Sequence, residues 1–144
     1  MDYILTGLQP ESVFKNFEEL TRIPRESGNE AGVADYLVAF ANRLGLEVIK
    51  EPSNNIIIKK QATKGYENGP TVILQGHTDM VCVKLDDLNF DFLKEPIPLV
   101  VEDDFVKTKG TTLGADNGIA VAMAMSILES STIEHPNLIA LFTV

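Results

Sequence analysis

Apolar positions at Val13, Phe14, Phe17 and Leu20 recur at helical spacing behind Pro10, whose missing N–H is harmless in a first helical turn. Pro24 and the polar run to Asn29 end that stretch. A second stripe, Val33, Tyr36, Leu37, Phe40 and Leu44, follows "SGNE" at 27–30, which has the form of a capping box, and Gly45 is placed to stop this helix. Two short strands are predicted next, "LEVIK" at 46–50 and "NIIIKK" at 55–60, joined by the turn "EPSN". The segment "QATKGYENGP" is loop chemistry, and Thr71 opens a third strand. "PLVVEDDFVKTKG" reads as a hairpin turning at Glu102–Asp104, a helix of small residues is predicted over about 117–130, and "NLIALFTV" reads as a buried strand. Near-continuous apolar runs at 71–75 and 138–144, alternating with helices, predict an α/β fold with a mainly parallel sheet flanked by helices. The last strand runs to Val144 with nothing after it to cover it, so 1–144 is expected to be part of a larger domain.

Composition narrows the partners. A formal net charge of −9 over 144 residues argues against nucleic acid and anionic membrane, which demand clustered Lys and Arg. The longest apolar stretch, "IAVAMAMSIL", falls short of the roughly 20 residues that span a bilayer, and no signal peptide is legible, so a cytoplasmic location is expected. A single cysteine, Cys82, rules out an internal disulfide and is expected to be a small packing residue. His135, before Pro136, is expected at the surface or a helix end; Met123 and Met125 are expected in the core; and Glu102, Asp103 and Asp104 lack calcium-loop spacing and read as a solvated turn.

The chemistry concentrates in two places. "VILQGHTDMV" (72–81) ends an apolar strand on Gly76 and His77, with Asp79 two residues on. In an open α/β sheet ligands bind beyond the carboxyl ends of strands. Positions 77 and 79 leave extended backbone on the same side, so the Asp79 carboxylate can take one imidazole N–H and leave the other nitrogen for a metal. A satisfied structural histidine fits the same pattern. "KGTTLGADNGIAVAMA" (109–124) sets Asp116 and Asn117 between Gly114 and Gly118 at the start of the small-residue helix. A helix N-cap is the plain alternative there, and the absence of a following Lys together with Asp116 disfavours a phosphate loop.

Together, "LQGHTDMVC" and "TTLGADNGIAVA" resemble the co-catalytic di-zinc metallopeptidases that include aminoacylases and carboxypeptidase-type enzymes, nearest to the Xaa-His dipeptidase (aminoacyl-histidine dipeptidase, carnosinase-like) branch. The likeness runs from "FEELTRIPRESGNE" through "NNIIIKK" to "LFTV". It implies a zinc-exopeptidase-like fold, with 1–144 the N-terminal portion of the catalytic domain. It also implies two divalent ions, zinc with manganese or cobalt as alternatives, His77 as ligand of one and Asp116 as bridge between both, with Asp79 orienting His77. A carboxylate between two dications offsets their repulsion and fixes their spacing. The Asp–Asn peptide after the bridge is often cis in such proteins. The implied activity is hydrolysis of Xaa-His-type dipeptides by a water shared between the metals, on small peptide substrates, with a homodimer of the full-length protein allowed. A tripeptidase, an N-acyl-amino-acid amidohydrolase on the same metal frame, or a non-catalytic binding or assembly module are the alternatives.

The family's general base and a further ligand, consecutive glutamates after "LFTV", fall beyond Val144, as do a later Asp and His. Two donors are short of the four a zinc site takes, so this chain is expected to bind metal weakly and to hydrolyse nothing by itself. "VKLDDLNF" after Cys82 also departs from the branch, which leaves substrate contacts near 83–90 open.

Overall fold

The computed structural model describes residues 3–144. Helix α1 spans Glu11–Thr21 and α2 Ala31–Arg43; strands β1 and β2 cover Glu47–Lys50 and Ile56–Lys60; β3 is Val72–His77. The hairpin β4 (Leu99–Glu102) and β5 (Phe105–Thr108) follows, then α3 (Ala115–Glu129) and β6 (Leu138–Thr143). The hairpin is a sheet of its own, and the main sheet has the order β1-β2-β6-β3.

The α/β architecture is as the pattern predicts, but the sheet is mixed. β1 and β2 are antiparallel, β2 and β6 are antiparallel, and only β3 and β6 run parallel. The reason lies in the connections. A short turn between β1 and β2 permits only a reversal, whereas α3 carries the chain back so that β6 lies alongside β3 in the same direction. Insertion of β6 between β2 and β3 pairs residues 66 to 86 positions apart, and no local pattern reports that.

Ile56 and Ile58 of β2, with Ala140 and Phe142 of β6, are fully buried against Val33, Leu37 and Phe40 of α2 and Val121 and Met125 of α3. The opposite face is less covered. Ile73 is 61% exposed, so the run at 71–75 is not the doubly buried strand its apolar content suggests. Helix α3 packs on both β3 and α1. At Gly76 an added Cβ would stand 3.4 Å from Ala120 and Val121 side chains, so helix and strand lie at contact distance. Asn16 of α1 reaches α3 by donating to Ser126 Oγ (3.0 Å) and Glu129 Oε1 (2.9 Å). Lys60 Nζ donates to the carbonyls of Ile127 (3.2 Å), Leu128 (2.8 Å) and Ser130 (2.8 Å), holding the far end of α3.

Gly45 stops α2 as expected: its φ is +67°, its N–H donates to Asn42 O, and that of Leu46 donates to Ala41 O, which is the left-handed closure glycine allows. The capping box at 27–30 does not form. Glu30 takes the N-cap position, and its carboxylate accepts from the Gly28 N–H, while Ser27 turns to Asp79. Met125 is buried, but Met123 is half exposed, because it falls on the outer side of α3. His135 is buried, not superficial: its Nδ1–H donates to Pro136 O (2.8 Å), its backbone N–H donates to Thr63 Oγ1 (2.9 Å), and the Thr63 N–H donates to its carbonyl, which pins the 61–71 loop. Cys82 is half-buried against the core, and burial pushes its thiol up. Asp103 takes a left-handed φ of +53° in an exposed hairpin turn, as expected for 102–104. Among the described residues no helix is long and apolar enough to cross a membrane.

Candidate metal centre

β3 ends on His77, level with Thr143 of β6 in the parallel register. The next residue is locked to the sheet: Thr78 N–H and Oγ1 both donate to Thr143 O (2.8 and 3.1 Å), and Thr78 is buried. The chain then turns so that Asp79 comes back beneath the imidazole. His77 Nδ1 lies 2.9 Å from Asp79 Oδ1, and Asp79 Oδ2 accepts from Ser27 Oγ at 2.5 Å. The Asp79 carboxylate is thus engaged at both oxygens, one of them against Nδ1, and Nε2 is on the side of Asp116.

Asp116 meets that nitrogen. His77 Nε2 and Asp116 Oδ1 are 3.2 Å apart, although the residues are 39 positions apart in the chain. Asp116 stands in the first turn of α3, which opens at Gly114 in the left-handed region (φ +74°) without a side-chain cap. Asp116 and Asn117 have non-helical dihedrals and the peptide between them is cis. The Asp116 side chain is 95% exposed, and among the described residues its carboxylate pairs with His77 alone. His77, Asp79, Met80, Val81, Thr112, Leu113, Gly114 and Asp116 line an open cleft of about 480 Å³.

Partial burial pulls the His77 imidazole down, but its hydrogen bonds with Asp116 and Asp79 outweigh that and hold it above its ordinary value. Asp79 is held below the usual carboxylate range, by the Ser27 hydroxyl first and by His77, against the opposing effect of burial.

Sequence reasoning missed Arg25. It is 2% exposed, and burial pulls its guanidinium down to about 10, opposed by Cys82 and Asp79, so it stays charged at neutral pH. Its Nη1 donates to Thr78 O (2.9 Å) and its Nη2 to Gly114 O (2.7 Å). Its backbone carbonyl accepts from Met80 N–H (2.9 Å), and Ser27 N–H donates to Met80 O (3.2 Å), so 25–27 forms a bed under the His77 loop. Nothing in "IPRES" marks this arginine, since its partners are 53 and 89 positions away.

The donor set can be tested against a cation. Zinc bonds to imidazole nitrogen and carboxylate oxygen run about 2.0–2.2 Å, which puts two donors of one tetrahedral ion about 3.4 Å apart. The observed 3.2 Å fits that spacing. The shell is partial: among the described residues no group of three or more His, Cys, Asp or Glu comes together to hold a metal ion.

This fold recurs in solved peptidases. A tripeptidase from Staphylococcus aureus superposes with a TM-score of 0.73 at 23% identity, over 92% of this chain and 36% of that one. A dinuclear metal binding peptidase of the M20 family from Bacillus subtilis gives 0.53 at 15%, over 90% and 34%. At such identities the likeness is one of fold. Closer kinship comes from an aminoacylhistidine dipeptidase of Vibrio alginolyticus, with a TM-score of 0.95 and 40% identity over 99% of this chain and 29% of that one. The cytosol non-specific dipeptidase of Escherichia coli is likewise 40% identical over 140 residues, 97% of this chain and 29% of the relative. The chain is therefore homologous to a segment of these dipeptidases and spans under a third of their length. No protein-family model matches it.

Proposed function

We propose that this chain contributes one half of the metal centre of a cytoplasmic dipeptidase, with His77 as ligand to one divalent ion, Asp116 as bridge between two, and Asp79 as the group that orients His77. The observation that carries this reading is the meeting of His77 Nε2 and Asp116 Oδ1 at 3.2 Å beyond a strand end, in a chain 40% identical to a dipeptidase segment. Divalent ions bound there, zinc by preference, supply a nucleophilic water at neutral pH and polarise the peptide carbonyl. The chain's own residues prepare for that. Asp79 accepts the hydrogen bond of Nδ1–H, which leaves Nε2 to face the cleft, and Asp116 offers a carboxylate with no other partner among the described residues. The open cleft beside them suits a small peptide. The substrates are dipeptides with C-terminal histidine by kinship with the Vibrio enzyme. With two donors in hand, the 144-residue chain binds zinc weakly and hydrolyses nothing alone.

The test is a chimera in which these residues replace the homologous segment of the Escherichia coli dipeptidase. Zinc-dependent hydrolysis of β-alanyl-histidine or alanyl-histidine is expected, lost in His77→Ala and Asp116→Ala, with tripeptides and N-acetyl amino acids cleaved more slowly. A folded chimera whose activity survives both substitutions would sink the assignment. Preference for tripeptides or N-acetyl amino acids would move the substrate class while leaving the metal frame in place.

A further inference from the structure

The Arg25 guanidinium is buried yet makes no ion pair among the described residues. A buried charge outside any ion pair is costly. Its two arms go to backbone carbonyls on different loops: Thr78, between His77 and Asp79, and Gly114, two residues before Asp116. A guanidinium holds two acceptors in a fixed plane from two separate nitrogens, whereas an ammonium offers its donors from one nitrogen on a flexible stem.

The glycines around Asp116 fit the same arrangement. A Cβ at Gly114 would stand 2.5 Å from Arg25 Nη2, and one at Gly118 would stand 2.8 Å from it. Gly114 and Gly118, which by sequence alone serve a tight turn, also clear the space in which the guanidinium sits. Met80, next in the chain after Asp79, seats its thioether against Gly114, where a Cβ would meet Sδ at 2.6 Å.

We infer that Arg25 is a positioning residue of the metal centre: a rigid tie between the loop bearing His77 and Asp79 and the loop bearing Asp116, which sets the separation of the two donors. This rests on the metal-centre reading above. The tie acts through backbone, so it can fix the donors without touching metal or substrate.

The experiment is NMR on the 144-residue chain, wild type and Arg25→Lys, with and without zinc ion. In the wild type, the Arg25 Nη protons should be resolved and slow to rotate, the Met80 methyl should show an NOE to the Gly114 α protons, and zinc should shift the His77 ring nitrogens. Arg25→Lys keeps the charge but has to meet both carbonyls from a single nitrogen, without the rigid fork. It should retain far-UV dichroism, lose that NOE, and bind zinc about tenfold more weakly, at the low end for removal of an outer partner of a ligand. Freely rotating Arg25 Nη groups in the wild type overturn the tie without any variant, so the tie can be refuted even where Arg25→Lys fails to fold. A lysine variant that keeps both the NOE and the zinc affinity overturns the role of Arg25 alone. A wild type whose His77 nitrogens ignore zinc overturns the metal-centre reading, and the positioning role falls with it.

Discussion

Gly45 and Gly114 have nearly the same backbone conformation, φ +67° and +74°, in different surroundings. A Cβ at Gly45 would meet nothing within 4 Å, whereas one at Gly114 would stand 2.5 Å from Arg25 Nη2 and 2.6 Å from Met80 Sδ. Alanine at either site carries the left-handed backbone cost of about 1–2 kcal/mol. At Gly45 that is the whole effect. At Gly114 the thioether can swing aside, but the guanidinium is pinned by its own bond to the Gly114 carbonyl. Moving it loses a charge-assisted hydrogen bond worth about 1.5–3 kcal/mol. Gly114→Ala is therefore expected to cost about 2.5–5 kcal/mol against about 1–2 for Gly45→Ala. Total stabilities of about 5–15 kcal/mol make the first severe and the second mild.

Urea unfolding of the two variants and the wild type measures the difference, with the Gly45 variant subtracting the backbone contribution. With a slope of about 2 kcal/mol per molar urea, the midpoints of the two variants should differ by about 1 M. Midpoints within about 0.2 M of each other would refute the claim that Arg25 occupies the space beside Gly114. A Gly45 variant as damaged as the Gly114 variant would refute it equally.

Lys60→Met keeps the aliphatic stem but removes the cation from the C-terminus of α3, and should cost about 1–2 kcal/mol in thermal or urea unfolding; an unchanged midpoint would contradict the three carbonyl contacts. Burial alone would raise the Glu18 carboxyl, but the Ile4 and Leu5 N–H groups and the Arg22 guanidinium outweigh it and hold it low. Its stabilisation is complete above the ordinary glutamate value of about 4.3 and lost as pH falls through the lower folded value, so Glu18→Gln should flatten stability against pH in that acid window, and an unaltered slope would refute the pairing. His77, held high, contributes stability that is present below the ordinary imidazole value of about 6.5 and lost as pH rises through the folded value; Asp79→Asn should lower the imidazole value seen by NMR titration, and no shift would refute the contact. In the chimera, Asp79→Asn should lower zinc affinity by about 10–100-fold, read by competition with a chromogenic chelator, and undiminished affinity would show that Asp79 does not orient the ligand.

What could be read from sequence divides along a physical line. The stripes Val33–Leu37–Phe40 and Phe17–Leu20, the Gly45 stop and the 102–104 turn are local: the residues that decide them lie within one turn of each other, and they fold as read. His77 and Asp79 were legible for the same reason, being two positions apart at a strand end. Failure follows distance. Ser27 and Glu30 spell a capping box, but α2 opens at Ala31 with Glu30 itself at the N-cap, so Ser27 lies outside the cap and donates its hydroxyl to Asp79, 52 positions away. The sheet reads as mainly parallel because apolar runs report burial, not direction; direction is decided by where β6 inserts. Arg25 lies at the extreme of this series, with the hydrogen bonds of its head group made to carbonyls, which carry no side-chain identity for a sequence to display. The residue that left a trace was its neighbour: glycine at 114 and 118 marks a volume that something else must fill. A glycine pair flanking candidate ligands is thus better read as a missing Cβ with an occupant to be found than as a turn alone, and here the occupant bonds to the loops that carry His77 and Asp116.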